Sequence, residues 1–316
     1  MTMATNALAT YQAIGNREDL SDMIWRIDPT DTPFMSGVDK VKATAVNHEW
    51  QTQALAAAVS TNAQLEGDDI SADAATPTVR LGNIAQISRK TAAVTGTQQA
   101  VDHAGRDDEL AYQEMLKGLE LKRDMETTLL ANTAKVTGDT TTARKLSSIL
   151  SWIKSNDSVG ASGVAPATAG TNSRTDGTQR AFTEAQLKTV LSSIWTSGGK
   201  PDTIMVGAFN KQQFSTFTGR ASPIEETKAK KITASVDAYE SDFGTLKVVA
   251  NRFSRTRDCL VLEMEKWGVA FLPGRKMVSI PLAIVGDAKR RSILSEYTLE
   301  ARNEKASGIV ADLTTS

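Results

Sequence analysis

The spacing of hydrophobic residues changes several times along the chain, and the first change falls within 40 residues. Residues 17–27 place apolar side chains at helical spacing, which predicts one short amphipathic piece. Pro29 and Pro33 follow. Because proline lacks a backbone donor and favours extended geometry in the residue before it, we predict a stiff extended strap here. Three good core residues flank this strap and are expected to hold it against another surface: Ile27, Phe34 and Met35.

From residue 41 to 97 the pattern alternates with a period of two, which predicts two strands. Val46, His48 and Trp50 share a face of the first strand, and Val79 and Leu81 share a face of the second. The segment between them is rich in Gly, Ala and Asp, and its acidic residues are Glu66, Asp68, Asp69 and Asp73. We predict a hairpin arm with an acidic tip. Since a two-stranded ribbon is marginal in water by itself, this arm should need an external surface.

Residues 106–132 are good helix formers and predict the longest helix of the chain. Steps of 100° per residue leave only a narrow strip for water: Glu109, Lys117, Glu120 and Asp124. Apolar side chains are spread over well more than half of the helix circumference. Lys122, Arg123 and Glu126 interrupt them, which suits a helix contacted by polar straps as well as by its own core.

The composition then shifts to Gly, Ala, Ser and Thr over residues 155–180, which predicts a flexible loop at a domain boundary. A compact α/β unit should follow. Thr183 and Gln186 form a capping-box signature, "DTIMVG" predicts a buried strand, and Asn210 is placed to cap a second helix. A long β-hairpin closes the chain, and its turn, "GDAKRR", carries three basic residues: Lys289, Arg290 and Arg291.

Composition and charge exclude several classes of function. The 316 residues are globular in composition, and 36 basic against 37 acidic side chains disfavour general polyanion binding. No stretch has the length of a membrane helix or the pattern of a signal peptide. The single cysteine, Cys259, lies in the apolar run "CLVLEM" and is expected to be a buried hydrophobe.

Catalytic chemistry has no support in the residue pattern. His48 and His103 are the only histidines, and neither has the spacing of a metal ligand. The Gly-rich stretch "GASGVAPATAG" lacks the ending of a phosphate-binding loop. We therefore predict no catalytic residue, no cofactor and no metal. The basic cluster formed by Lys228, Lys230 and Lys231 lacks interleaved aromatics and favours a solvated or inter-subunit patch over a nucleic-acid site.

Seven stretches in this order resemble the major capsid proteins of tailed bacteriophages, which have the Hong Kong 97-type fold. They are "IDPTDTPF", "EW" at residues 49–50, "LEGDD", "RLGNIAQI", "DELAYQEMLKGLELKRDMETTLLAN", "DTIMVGAFNKQQF" and "LEARNEKASGIVADL". The resemblance covers nearly the whole chain. It implies an α+β fold with an N-terminal arm, an extended E-loop hairpin, a P-domain with a long spine helix, and an α/β A-domain.

The same resemblance implies a division of the chain. The N-terminal arm would span residues 1–40, the E-loop hairpin and its flanking P-domain strands 41–97, the spine helix and following loop 98–180, the A-domain 181–273, and the closing hairpin with the C-terminus 274–316. Inter-subunit contacts are expected from the strap residues, the acidic tip and both basic clusters.

The function implied is that of a structural protein made in the host cytoplasm and located in the virion. Pentamers and hexamers would form an icosahedral shell around double-stranded DNA, without sequence-specific binding. A portal, and a scaffold or decoration protein, would be its partners. Two other functions stay open: an encapsulin-like compartment of the same fold, and a monomeric α/β enzyme or ligand-binding protein.

Overall fold

Two β-sheets and one long helix organise the part of the chain that the computed structural model describes, residues 28–67, 72–217 and 238–316. Its helices are α1 (Pro33–Gly37), α2 (Gly96–Ala100), α3 (Glu109–Leu129), α4 (Ile149–Trp152), α5 (Glu184–Thr196) and α6 (Ala208–Phe214). Its strands are β1 (Asp39–Lys42), β2 (Asn47–Thr52), β3 (Val79–Ile84), β4 (Gln86–Thr95), β5 (Asp157–Ser158), β6 (Thr203–Val206), β7 (Ala238–Ser241), β8 (Gly244–Ala250), β9 (Cys259–Leu262), β10 (Trp267–Phe271), β11 (Val278–Leu282), β12 (Ala288–Ala301) and β13 (Gly308–Val310).

The first sheet is built around β12, which is long enough to hold neighbours on both sides. β10 and β11 pair with it along one edge and β4 along the other, all antiparallel, while β1 lies parallel to β10. The predicted closing hairpin is thus confirmed as β11 and β12. Helix α3 packs across β4 and β12. Trp152, Trp267 and Tyr297 are almost fully buried in this core, and each such side chain contributes roughly 2–3 kcal/mol by leaving water.

The second sheet has the order β5-β13-β9-β6-β8-β7, and its core includes side chains of α5 and α6. The predicted capping box is present, since the Thr183 N–H donates to Gln186 Oε1 at 3.2 Å. Strand β6 confirms the "DTIMVG" prediction. β5 and β13 come from outside residues 181–273, so the sheet is wider than the segment predicted to form it.

The prediction that Asn210 caps the second helix is wrong. Gly207 precedes α6, and Asn210 lies inside the helix with no exposed surface. Its side-chain amide donates to the carbonyl oxygens of Thr256, at 2.8 Å, and Thr314, at 3.3 Å. Because both acceptors are distant in sequence, local spacing could not reveal that this polar side chain belongs to the interior.

Helix α3 begins where its acidic sequence suggests and buries a regular stripe. Asp108 Oδ1 accepts a hydrogen bond from the Ala111 N–H at 3.0 Å, which caps the first turn. Leu121, Met125 and Leu129 are buried at spacings of four residues. The predicted long helix is therefore confirmed, although it is shorter at both ends than residues 106–132.

One member of the predicted water-facing strip is buried. Glu109 has 5% of its surface exposed, because its carboxylate pairs with Arg106 and accepts a hydrogen bond from Gln113 Nε2 at 2.8 Å. Asp124 is exposed as expected, and it forms an ion pair with Lys90 at 2.8 Å. Helical periodicity predicts the face of a residue but not the neighbours that can cover that face.

The loop over residues 155–180, which its composition predicts to be flexible, makes specific polar contacts with the rest of the chain. Asp312 Oδ2 accepts the Gly160 N–H at 3.0 Å, and Asp312 Oδ1 accepts the Gly177 N–H at 2.8 Å. Arg174, which is 4% exposed, pairs with Asp157 at 2.7 Å. The small residues of this loop allow its backbone to pack closely on the body of the protein. Their abundance therefore reflects close packing and not flexibility.

Replacing Gly170 with alanine tests this packing. Gly170 has φ of +71°, and a Cβ there would lie 2.4 Å from Trp152 Cη2. We expect a loss of about 2–4 kcal/mol in the free energy of unfolding, from strain and steric overlap together. Gly198→Ala is the control, since Gly198 has φ of +85° with nothing within 4 Å, and it should cost only about 1 kcal/mol. Equal losses in denaturant unfolding would contradict the close contact.

Candidate inter-subunit surfaces

The β2–β3 ribbon extends away from the body of the protein. Its register places Trp50 opposite Leu81, which confirms the antiparallel pair predicted for this region. The ladder covers six residues of each strand, and the described residues between the strands have no regular secondary structure. Every described residue from 53 to 80 is exposed, and Leu55 exposes 96% of its surface. This arm beyond β2 therefore lacks cover from its own chain.

The base of the ribbon is held by two side chains from one face of β2. His48 Nε2 lies 2.9 Å from Glu300 Oε2, and Trp50 Nε1 donates to the Ala301 carbonyl oxygen at 2.9 Å. Trp50 also contacts Trp152, with ring centroids 5.3 Å apart. The hydrogen bond from His48 is the main cause that holds the pKa of Glu300 below its usual range. His48 thus has a structural partner. These contacts fix the base of the ribbon, called here its root, to the body of the protein.

The proline strap ends in a helical turn that is anchored to α3. Pro33 starts α1, a position that suits proline because its missing N–H would have no intrahelical partner. The prediction of an extended strap is therefore wrong from residue 33 onward, whereas residues 28–32 lack regular secondary structure. Phe34 is 0% exposed and Met35 9%, and both pack in the core of their own chain. Their side chains are thus already covered before any second copy approaches.

A buried carboxylate joins this turn to α3 and to the second sheet. Glu126 Oε1 accepts the Phe34 N–H at 2.8 Å and Asn251 Nδ2 at 2.7 Å, and Glu126 Oε2 accepts the Met35 N–H at 2.8 Å. Desolvation raises the pKa of Glu126 above its usual value, although these hydrogen bonds and the charge of Lys40 act in the opposite direction. Lys40 bonds the Val38 carbonyl at the other end of the turn, at 2.8 Å. The sequence suggested that Glu126 meets a polar strap, and the structure provides that contact.

The basic residues of the closing hairpin lie in strand β12 and not in the predicted turn. Lys289, Arg290 and Arg291 pair in register with Val94, Ala93 and Ala92 of β4. Arg290 donates to the Ala283 carbonyl at 2.8 Å, and Arg291 forms an ion pair with Glu114 of α3 at 3.2 Å. Lys289 and Arg291 are exposed. The three residues, called here the basic strip, are fixed in the first sheet at the beginning of β12, because strand pairing continues further toward the turn than alternation alone indicated.

The environments of the acidic side chains, the cysteine and the second histidine bear on other kinds of site. Among residues 28–67, 72–217 and 238–316, no three His, Cys, Asp or Glu side chains come together as ligands for a metal ion. Cys259 is buried, and burial raises the pKa of its thiol. His103 Nε2 contacts Gln98 Nε2 at 3.0 Å, near the start of α3.

No helix in the described part of the chain combines the length and the apolar character that crossing a bilayer requires.

Comparison with known proteins decides the family. The family model described as the SU10 major capsid protein matches residues 3–314. The chain belongs to this family. As a major capsid protein it is a structural component of the virion, and copies of it form the icosahedral shell of a tailed phage. Neither the encapsulin-like compartment nor the monomeric enzyme is favoured.

A curated relative and two solved structures support this assignment. The major capsid protein of Escherichia phage Phieco32 is 27% identical over 339 residues, which cover 95% of each chain. A structure from Gordonia phage Cozz has a TM-score of 0.63 at 9% identity and covers 99% of this chain and 98% of its own. The capsid of a native GTA particle, computed with C5 symmetry, has a TM-score of 0.63 at 9% identity and covers 98% and 100%. The Hong Kong 97-type fold is thereby confirmed.

The structure describes only part of the contact set predicted for this capsid protein. Glu66 is exposed near the middle of the segment that joins β2 and β3. Of the other members of the acidic tip, Asp73 is exposed, whereas Asp68 and Asp69 lie outside the described residues. So do Ile27 and the basic cluster of Lys228, Lys230 and Lys231.

Sequence reasoning missed two surface features of the capsid protein. Trp195 directly follows the last buried residue of α5, yet it is 62% exposed and stacks on Phe243. Its position one residue beyond the regular buried stripe of Leu187, Val190, Leu191 and Ile194 was the available signal. Phe243 lies in the turn between β7 and β8 and carried no sequence signal of its own.

Proposed function

We propose that this major capsid protein connects neighbouring copies of the shell through arms that are fixed at their roots and exposed beyond them. The exposure of every described residue from 53 to 80 carries this proposal. Leu55 and Leu65 expose 96% and 81% of their surfaces, so their cover must come from another molecule. The root held by His48 and Trp50 fixes the direction in which the E-loop leaves the body.

Three residues of the acidic tip, Glu66, Asp68 and Asp69, are proposed to contact the basic strip Lys289–Arg291 of a neighbour. The strip lies on paired strands, so its charges are held in place, and Lys289 and Arg291 are exposed. Fixed opposite charges at a contact set the register between partners and disfavour wrong pairings.

The N-terminal arm is proposed to make a second connection. Phe34 and Met35 anchor the arm in the core of its own chain, so residues before them, including Ile27, are proposed to reach the neighbour. The sequence suggested that Ile27, Phe34 and Met35 all contact a neighbour. Phe34 and Met35 instead pack in the core of their own chain, so they are not available for that contact.

Further partners follow from the shell itself and are part of the proposal. Copies would be grouped as pentamers and hexamers, and the shell would enclose double-stranded DNA without reading its sequence. A portal would occupy one vertex, and a scaffold or decoration protein would bind the shell. The balance of 36 basic and 37 acidic residues in each copy is compatible with enclosing DNA without binding it tightly.

Assembly of the purified chain tests the function directly. The expressed protein is expected to form closed shells, visible by electron microscopy and as a large species in light scattering. A uniform monomer under all assembly conditions, including addition of the phage's own scaffold if it has one, would contradict it.

Charge reversal tests the proposed E-loop contact. The variant Glu66→Lys, Asp68→Lys, Asp69→Lys should reduce shell yield at least about ten-fold, because it places like charges on both sides of the proposed contact. Folding should be unchanged, because Glu66 is exposed. Glu265→Lys is the control, a reversal at a single carboxylate whose side chain is 78% exposed. Unchanged yield in the triple variant would refute the contact.

A further inference from the structure

An aromatic pair is exposed on the surface of the second sheet and its helices. Trp195 is in the last turn of α5, and Phe243 is in the β7–β8 turn. Their ring centroids are 5.5 Å apart at an interplanar angle of 29°. Trp195 is 62% exposed and Phe243 37%. Large exposed aromatic side chains are enriched at the centres of protein interfaces, where their burial contributes strongly to binding.

An acidic hollow of about 440 Å³ adjoins this pair, and Phe243 is part of its wall. Glu184 in the hollow is already engaged, with Lys188 at 2.9 Å and the Tyr239 hydroxyl at 3.2 Å. Glu240 and Asp242 also line the hollow, and both are exposed. The surface thus presents an apolar platform beside two carboxylates that are open to a partner.

We propose that this surface, called here the Trp195 platform, receives the lysine cluster of a second copy of the chain in the same shell. The cluster supplies three cations within four residues: Lys228, Lys230 and Lys231. Charge complementarity with Glu240 and Asp242 favours this occupant. Lysine also suits the aromatic part, because its alkyl stem packs on a ring and its ammonium group is attracted to the face of tryptophan.

The contact would be heterologous, since one copy contributes the platform and the next contributes the lysines. Such a contact repeats head to tail around an axis and closes into a ring when the rotation permits. This inference rests on the proposed shell function and adds which surfaces of adjacent copies meet.

Two charge-reversed variants test the contact. One carries Glu240→Lys and Asp242→Lys, and the other carries Lys228→Glu, Lys230→Glu and Lys231→Glu. Each alone places like charges on both sides of every contact and should reduce shell yield at least about ten-fold. Mixed in equal amounts before assembly, the two should alternate around six-membered rings, where every contact is again between opposite charges. Shell yield should recover in part, because a five-membered ring keeps at least one contact between like charges.

The mixing experiment distinguishes a neighbour from the chain itself. If the lysines met the platform of their own chain, mixing would restore nothing, and only a chain with all five reversals would recover. That result would overturn the proposal. Glu265→Lys again serves as the control and should assemble normally in every arm of the experiment.

Truncation of the platform supplies an independent measurement. Trp195→Ala should reduce shell yield at least about ten-fold, because tryptophan side chains are frequent energetic centres of interfaces. The unfolding midpoint of the unassembled variant should stay near that of the wild type, since Trp195 is 62% exposed. Normal shells from both the Trp195→Ala and the Glu240→Lys, Asp242→Lys variants would overturn the platform and leave the shell function intact. A wild-type chain that never assembles would instead contradict the shell.

Discussion

Replacing Glu126 with alanine is expected to lower the free energy of unfolding by about 3–5 kcal/mol. The substitution removes the acceptor of two backbone N–H groups, those of Phe34 and Met35, and of the Asn251 side-chain amide. Glu126 is 0% exposed, so water cannot replace the lost acceptor without opening the core. The loss should be measured by denaturant unfolding of the unassembled chain, and limited proteolysis should show earlier cleavage near α1.

Two further variants separate the hydrogen bonds from the charge. Glu126→Gln keeps the shape but directs an amide nitrogen at one of the donors, so we expect a smaller loss of about 1–2 kcal/mol. Glu120→Ala, on the same helix, removes only partly exposed ion pairs, with Lys117 at 2.8 Å and with Lys90 at 4.0 Å, and should cost under about 1 kcal/mol. If Glu126→Ala were as mild as Glu120→Ala, Glu126 would not be the anchor of the N-terminal arm.

Replacing Asp258 with asparagine is expected to stabilise the unassembled protein at pH 7. Asp258 is 2% exposed, and among the described residues neither of its carboxylate oxygens has a hydrogen bond. Desolvation raises its pKa from 3.8 to about 6, although Arg255 Nη1 lies 3.2 Å away. The difference between these two pKa values means that ionising Asp258 costs about 3 kcal/mol more in the folded state than in the unfolded state.

The direction of the pH dependence follows from this raised pKa. Between pH about 4 and about 6 the folded state binds the proton of Asp258 more tightly than the unfolded state does, so the free energy of unfolding falls as the pH rises through that window. Asparagine resembles the protonated form. The variant should therefore match the wild type near pH 4 and exceed it by about 1–3 kcal/mol at pH 7.

Asp176 provides a control of opposite sign. It is desolvated too, but pairing with Arg255 and Arg257 holds its pKa below the usual value. Asp176→Asn should therefore reduce stability at pH 7, and the reduction should diminish as the pH falls through the range where an unpaired aspartate titrates. Denaturant unfolding of all three proteins from pH 7 down to about pH 2, below the ordinary pKa of aspartate, checks both signs. A less stable Asp258→Asn protein at pH 7 would contradict the role assigned to burial.

The two buried roots have a common consequence for assembly. Glu126 fixes the N-terminal arm to α3, and His48 with Trp50 fixes the E-loop to β12. A rigid root reduces the number of directions that an arm samples before it meets a neighbour, which lowers the entropy lost on binding. Exposed tips on rigid roots therefore suit a protein that must repeat one contact many times.

The sequence by itself determined the elements with strong local signals. Alternation predicted β2, β3, β11 and much of β12, helical spacing predicted α3, and the Thr183–Gln186 capping box marked the start of α5. The order of seven motifs also determined the family. These signals are local, since each depends on residues within about one turn of a helix or one strand.

Only the tertiary structure decided which polar residues are buried and which apolar ones stay exposed. Glu109 and Asn210 are interior, and the chain around residues 155–180 is packed on the body. Trp195, on an otherwise apolar helix face, is open to solvent. The physical reason is that periodicity assigns a side chain to a face, whereas burial depends on what covers that face. For Glu126 the covering groups lie 91 to 125 residues away along the chain, so only folding brings them together.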